Sequence, residues 1–368
     1  MANGFSLGIL QMMKEVTKDA TPAYKVEPYG MLASLLSAHS PGVIKNDSYD
    51  GHFKTVKVKK KKRLTMSDTE TSASCDIGAP IPYTEDTVTI NGYRRVAFHL
   101  EDEVVAAFDA YASAPVQVPG MISPLMFEFF DSLQVACNGI LEGVNNDIVT
   151  LALANNGKNR VSGNTTAQTI NIPLSWTNND LAAGVTKLLS DFKLNNMSGK
   201  PIIVGAGLMH NFMLQQAAVR GNNFNGIDTR IQGAGIDFFL DYQLPTIASA
   251  ANQIMVYEKD AVQIVEYMEY QGFKAGPKPG ASQFGVITLP MMNPDGTKVP
   301  VKFDFQLRYN DCAVTETNAY GDPQTYQKGY NLIVSKQFGL YTIPTTAYSA
   351  SDVLTGNRGS LKYNITNA

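Results

Sequence analysis

Seven of the thirty cations of this chain, Lys54, Lys57, Lys59, Lys60, Lys61, Lys62 and Arg63, sit in one short stretch. Such a run could bind phosphates through counterion release, serve as a localisation patch, or grip an acidic surface. It could also be a solvated face. Nucleic-acid readers interleave charge with exposed aromatics or place it on a helix. Here FKTVKVKKKKRL reads as a strand. Half of its side chains then point to each face, Lys57, Lys59, Lys61 and Arg63 to one and Lys60 and Lys62 to the other. Charge along a strand edge also blocks random strand pairing. The whole chain carries a net charge of −3, and without these seven residues 23 cations would face 33 acids, a net −10. An acidic body with one basic strip favours an electrostatic clamp between subunits.

The next candidate is IIVGAGLMH, residues 202–210, a strand followed by Gly205-x-Gly207 and a helical pattern. That is the layout of a dinucleotide-binding turn, but His210 replaces the third glycine. The acid at ribose distance, Asp228, lies in Asn/Gly-rich chain, and no run of βαβ units surrounds the motif. A tight strand-to-helix turn is the better reading. His39, His52, His99 and His210 are scattered, and Cys75, Cys137 and Cys312 share no metal-like spacing. Cys137 falls on the apolar face of a helix and reads as core. Phosphate-loop, nucleophile-elbow and zinc-protease motifs do not occur. The sequence therefore assigns no catalytic residue, no cofactor-binding residue, no metal ligand and no cofactor, and it does not read as an enzyme.

The elements around these residues follow from periodicity. Phe5, Ile9, Met13 and Val16 recur at helical spacing, a stripe too short to fold alone and so expected to dock on an adjacent subunit. A second short helical pattern covers 31–37. Residues 1–50 thus form an arm. The strand-like stretches 53–64 and 87–100 flank a polar tip, which predicts a hairpin over 51–100 that must rest on something else. A helix over 101–112 begins with acids.

The longest helical pattern runs from Pro124 to Ala154, with Ser123 as N-cap, Pro124 in the first turn and Asn155-Asn156-Gly157 as the stop. Its apolar positions are 126, 130, 133, 137, 140, 141, 144, 148 and 151. Shorter units follow: helices over 180–194 and 208–220, strands at 201–204, 235–240 and 253–257, and a Gly-Pro linker at 276–280. Strands 284–292 and 298–309 flank Asn293-Pro294-Asp295-Gly296, a hairpin signal. A further strand or strand pair covers 329–341.

The 368 residues exceed one ordinary domain. Charged residues are 17%, below the roughly 25% of typical soluble domains, and aromatics at 10% argue against disorder. Mean hydropathy is −0.11. An odd, sparse cysteine count fits a reducing compartment. The N-terminus has no basic segment of a secretory signal, and no window approaches the ~20 apolar residues of a membrane span. The chain reads as soluble, made in a cytoplasm, without a membrane partner.

Arm, basic hairpin, very long helix, α/β domain and returning β-strands, in that order, resemble the major capsid proteins of tailed bacteriophages. This is the Hong Kong 97-type fold, shared with encapsulins. The hairpin 51–100 looks like the family's extended loop and Pro124–Ala154 like its spine helix. PIIVGAGLMHNFMLQQA and GAGIDFFLDYQLP stand where the axial domain has a strand, a helix and a following loop. NQIMVYEKDAVQIVE, residues 252–266, is similar to the strand pair crossing that domain.

The resemblance covers nearly the whole chain and implies an α+β organisation. Its parts would be an arm 1–50, an extended β-hairpin loop 51–100, a peripheral domain 101–157 with 276–350, an axial domain 158–275 and a C-terminal tail 351–368. It implies a structural protein that assembles with itself into pentamers and hexamers of an icosahedral shell. That shell would enclose double-stranded DNA without reading its sequence, with the protein in the virion and in the host cytoplasm during assembly. A separate scaffolding protein and a portal would be partners. The subunit interface would include Lys57, Lys59, Lys60, Lys61, Lys62, Arg63, Phe5, Ile9, Met13 and Val16. An encapsulin-like cargo shell, and more remotely a nucleotide-binding α/β enzyme, are the alternatives.

Overall fold

A computed structural model describes residues 24–37, 55–61, 80, 83–113, 124–154, 168–172, 187–195, 197, 199–205, 230–231, 236–244, 253–259, 261–269, 283–292, 298–310, 314–317, 323–326, 329–342 and 359–367. The 5–16 stripe, Lys62, Arg63, the helix expected over 208–220, Asp228 and the 276–280 linker lie outside the described residues.

The first elements in chain order are α1 (Gly30–Ser37), β1 (Thr55–Lys61), β2 (Tyr83–Thr89), β3 (Gly92–Leu100), α2 (Asp102–Ser113) and α3 (Pro124–Ala154). Then come β4 (Gln168–Ile172), β5 (Ile202–Gly205), β6 (Arg230–Ile231), β7 (Ile236–Leu240), β8 (Gln253–Tyr257) and β9 (Val262–Tyr267). The last are β10 (Gln283–Met292), β11 (Lys298–Asn310), β12 (Val314–Thr317), β13 (Pro323–Tyr326), β14 (Gly329–Thr342) and β15 (Ser360–Asn367). Residues 187–194 are helical as well. Helices and largely antiparallel sheets make this an α+β chain. It divides into two compact units, one of residues 1–28, 92–144 and 266–338, the other of 29–91, 145–265 and 339–368.

In the first unit, antiparallel strands run in the order β10-β11-β14-β3. The Asn293-Pro294-Asp295-Gly296 turn predicted a hairpin, and Met292 pairs with Lys298 across it. In β11, Val299, Val301, Phe303, Phe305 and Leu307 are buried, the period-two pattern of a strand with one face on a core. Positions 331–339 of β14 are all buried, as in a strand covered on both faces. Helix α3 lays Phe129 against Phe98 of β3, with ring centroids 6.3 Å apart, and against Phe108 of α2 at 5.0 Å, edge to face. Its apolar stripe is buried at 126, 130, 133, 137, 140, 141, 144 and 148, while position 151 is half-buried.

Cys137 is fully buried on that stripe, and burial pushes its thiol up, the Lys336 charge offsetting part of the shift. A thiol held protonated and dry is unreactive. Iodoacetamide is therefore expected to leave Cys137 unmodified in the native protein and to alkylate it fully in denaturant, read by peptide mass spectrometry. Appreciable native labelling would contradict this packing.

The second unit holds a six-stranded mixed sheet, β4-β15-β8-β5-β7-β6. Leu188 and Phe192 of the 187–194 helix pack on Ile203, Ile236, Phe238, Ile254, Val256, Leu361 and Tyr363. Three outcomes differ from the sequence reading. The second expected hairpin strand, 87–100, is two strands that break at Asn91: β2 pairs with β1 and β3 with β14. β8 and β9, expected as a strand pair, do not pair with each other, because β8 lies between β15 and β5. Ser360–Asn367, expected within a C-terminal tail, is the strand between β4 and β8.

Candidate functional site

The basic strip is built on the β1–β2 ladder, a two-stranded antiparallel sheet. Its register places Lys57, Lys59 and Lys61 opposite Thr87, Glu85 and Tyr83 on one face, and Val56, Val58 and Lys60 opposite Val88, Asp86 and Thr84 on the other. Two strands alone are marginal in water. This pair is supported at its base on the second face, where Val56 and Val88 are buried. There the Tyr341 hydroxyl donates to Asp86 Oδ2 at 2.8 Å. The chain comes so close that a Cβ on Gly339 would lie 2.9 Å from the Thr89 carbonyl oxygen and 3.1 Å from Val88 Cγ1. Any larger residue at 339 would push the hairpin base away.

On the first face Lys57 Nζ lies 2.5 Å from Glu85 Oε1, with the two side chains 49% and 30% exposed. This diagonal cross-strand pair holds the hairpin to itself. In water such a pair contributes ~0.2–1 kcal/mol. Lys57, read as an interface residue, thus has a partner inside its own subunit. Lys59, Lys60 and Lys61 follow on the same strand. Of the expected interface residues, the structure brings Lys57, Lys59, Lys60 and Lys61 together; Lys62, Arg63, Phe5, Ile9, Met13 and Val16 fall outside the described residues.

The arm is partly internal. In the first unit, chain around Tyr24 runs along α3 one turn at a time. The Tyr24 ring lies 5.3 Å from that of Phe130, Gln134 Nε2 donates to the Lys25 carbonyl at 2.7 Å, and Glu27 N donates to Asn138 Oδ1 at 3.0 Å. Val26 N donates to the Pro290 carbonyl at 3.0 Å, a one-residue extension of the sheet edge at Met291. In the second unit, Met31, Leu32 and Ala33 of α1 are buried. These anchors escaped the sequence reading because the contacts span more than a hundred residues. Asn145 carried a weak signal, a polar residue within the apolar stripe of α3.

The dinucleotide-like turn begins on β5, which is parallel to β7 but antiparallel to β8. That is not the all-parallel surround of a nucleotide crevice. Among the described residues no group of three or more His, Cys, Asp or Glu could hold a metal ion, and no helix is long and apolar enough to cross a membrane.

No family model and no curated protein matches the chain. Solved structures do. A capsid structure of the cyanophage P-SCSP1u is similar over 95% of this chain and 90% of its own, at 13% identity and a TM-score of 0.44. A structure from Mycobacterium phage Cain is similar over 95% and 92%, at 10% identity and 0.44. A virus-like particle from Pyrococcus furiosus is similar over 91% and 96%, at 8% identity and 0.40.

Proposed function

We propose that this chain is a major capsid protein, a structural subunit that assembles with itself into pentamers and hexamers of a closed shell around double-stranded DNA. The observation that carries the reading is the β1–β2 hairpin. Its base is pinned on the subunit through Val56, Val88 and the Tyr341–Asp86 hydrogen bond. Lys57, Lys59, Lys60 and Lys61 lie on a strand that has one ladder partner among the described residues. A basic strand on a chain otherwise of opposite charge suits a head-to-tail contact, because the two complementary patches are different parts of one subunit. Heterologous contacts of that kind close into rings.

The net acidity of the rest of the chain fits a shell wall that encloses DNA without adhering to it. In this reading the extended loop begins at 51 and ends before β3, which belongs to the first unit's sheet; Pro124–Ala154 is the spine helix, 101–157 with 276–350 the peripheral domain and 158–275 the axial domain. The 1–50 arm, with its Phe5, Ile9, Met13 and Val16 stripe, reaches a neighbour ahead of its internal anchors. A separate scaffolding protein and a portal complete the assembly, in the host cytoplasm and then the virion.

Overexpressed protein is expected to yield closed, uniform particles by electron microscopy and a fast-sedimenting species in ultracentrifugation, alone or with host lysate. A compact monomer under every condition, including added lysate and crowding agents, would refute the reading.

A further inference from the structure

Helix α1 is eight residues of GMLASLLS without a charge, well short of the ~12–15 residues an isolated helix needs. Its first turn starts from Tyr29, whose carbonyl accepts from Ala33 N at 2.7 Å. Tyr29 supplies none of the short polar side chains that cap orphan amides. The caps arrive instead from distant chain. Met31 N donates to Asp241 Oδ2 at 2.9 Å and Leu32 N to Asn145 Oδ1 at 2.9 Å. The Ser34 hydroxyl meets that of Tyr257, which burial holds protonated.

These receptors are organised without the helix. Asn145 Nδ2 donates to Asp241 Oδ2 at 2.9 Å and to Gln243 Oε1 at 2.6 Å. Gln243 N donates to Asp241 Oδ1 at 2.9 Å, and Asp241 N donates to the Gly205 carbonyl at 2.9 Å, at the end of β5. When the helix leaves, the carboxylate keeps two donors and the carboxamide keeps both acceptors.

We infer that residues 29–37 are a detachable strap, helical only while seated in this preformed polar notch, and that its release is a step separate from unfolding of the sheet that carries the notch. The fit is specific to one register. A Cβ on Gly30 would lie 2.2 Å from the Leu240 carbonyl oxygen, so only glycine enters there, and the buried Met31, Leu32 and Ala33 follow it in.

Native-state hydrogen exchange on the full-length protein, read by mass spectrometry at rising sub-denaturing urea, tests this. The amides of 30–37 are expected to exchange at least about tenfold faster than those of Ile202–Gly205 and Gln253–Tyr257, through an opening that exposes less surface. Asp241→Ala is expected to speed the 30–37 amides a further tenfold or more, the loss expected for one hydrogen bond to a charged acceptor. It leaves the β5 and β8 amides where they were. Ser34→Ala is the milder second variant, with the same pattern and smaller size. Equal exchange of strap and sheet in the unmodified protein would overturn the inference, whether or not the variants fold. So would Asp241→Ala speeding β8 as much as α1. Neither result touches the capsid reading, because the measurement needs no assembly.

Discussion

Replacing Lys59, Lys60, Lys61 and Lys62 together by Glu is expected to abolish particle formation while the subunit stays folded. Each exposed ion pair contributes only ~0.2–1 kcal/mol, so a single substitution does little. A shell repeats the contact in every subunit, and the increments add over the whole particle. The register sharpens the design. Lys59 lies opposite Glu85, which already pairs with Lys57, so a glutamate at 59 sets like charges face to face inside the hairpin. Lys59, Lys60, Lys61 and Lys62 all changed to Gln removes the attraction without that repulsion. It is expected to assemble weakly and with little response to salt. Unmodified protein is expected to assemble less as salt rises, because screening acts within ~10 Å at 0.1 M. If the strip holds phosphates instead, the Glu variant forms normal shells that retain less nucleic acid. Normal, normally filled particles would leave the strip as a solvated face. Unchanged circular dichroism and melting of the variant separate lost contact from lost fold.

How far the sequence carried this reading depends on where each signal was local. Helix α3 was legible at both ends because Ser123-Pro124 and Asn155-Asn156-Gly157 mark its limits and the apolar period holds between them. The β10–β11 hairpin was legible from one turn. The single strand expected over 87–100 was not, although Asn91-Gly92 is itself a breaker signal. Alternation continues across it, and only the partners tell the two strands apart. Gly92 is needed there, since a Cβ would lie 2.6 Å from the Phe338 ring.

The notch built from Asn145 and Asp241 left only the weak signal of Asn145 in the α3 stripe, because its members are 96 residues apart and Asp241 alone resembles a surface residue. The basic strip was visible as composition, but its pairing was not. That Lys57 answers Glu85 depends on a register set by Val56 and Val88 at the base.

Lys336 is the clearest case of a charge that sequence alone would place outside, and it carries the second large effect. It sits mid-strand in VSKQFGL, yet its side chain is 0% exposed. Nζ lies 2.5 Å from Glu266 Oε1, donates to the Lys302 carbonyl at 2.9 Å and stands 5.2 Å from the centre of the Phe303 ring. The two partners are not equivalent, because the Glu266 side chain keeps 25% of its exposure. Without lysine, the carboxylate keeps contact with water through its exposed part, while Oε1, itself buried, loses the ammonium it faces. Without glutamate, water cannot reach the ammonium. Glu266→Ala is therefore expected to cost ~3–5 kcal/mol, the range for an uncompensated buried charge. Lys336→Met keeps the stem's volume but leaves Oε1 buried and unpaired, and is expected to cost ~1–3 kcal/mol, less than Glu266→Ala because part of the carboxylate stays wet. The double variant is expected to fall near Lys336→Met rather than at the sum, since the charge that made Glu266→Ala costly is then gone. Urea midpoints at constant slope measure all three. Equal losses for the two single variants, or additive ones in the double, would mean that the ammonium is not held dry by its partner, and the burial argument for this pair would fall.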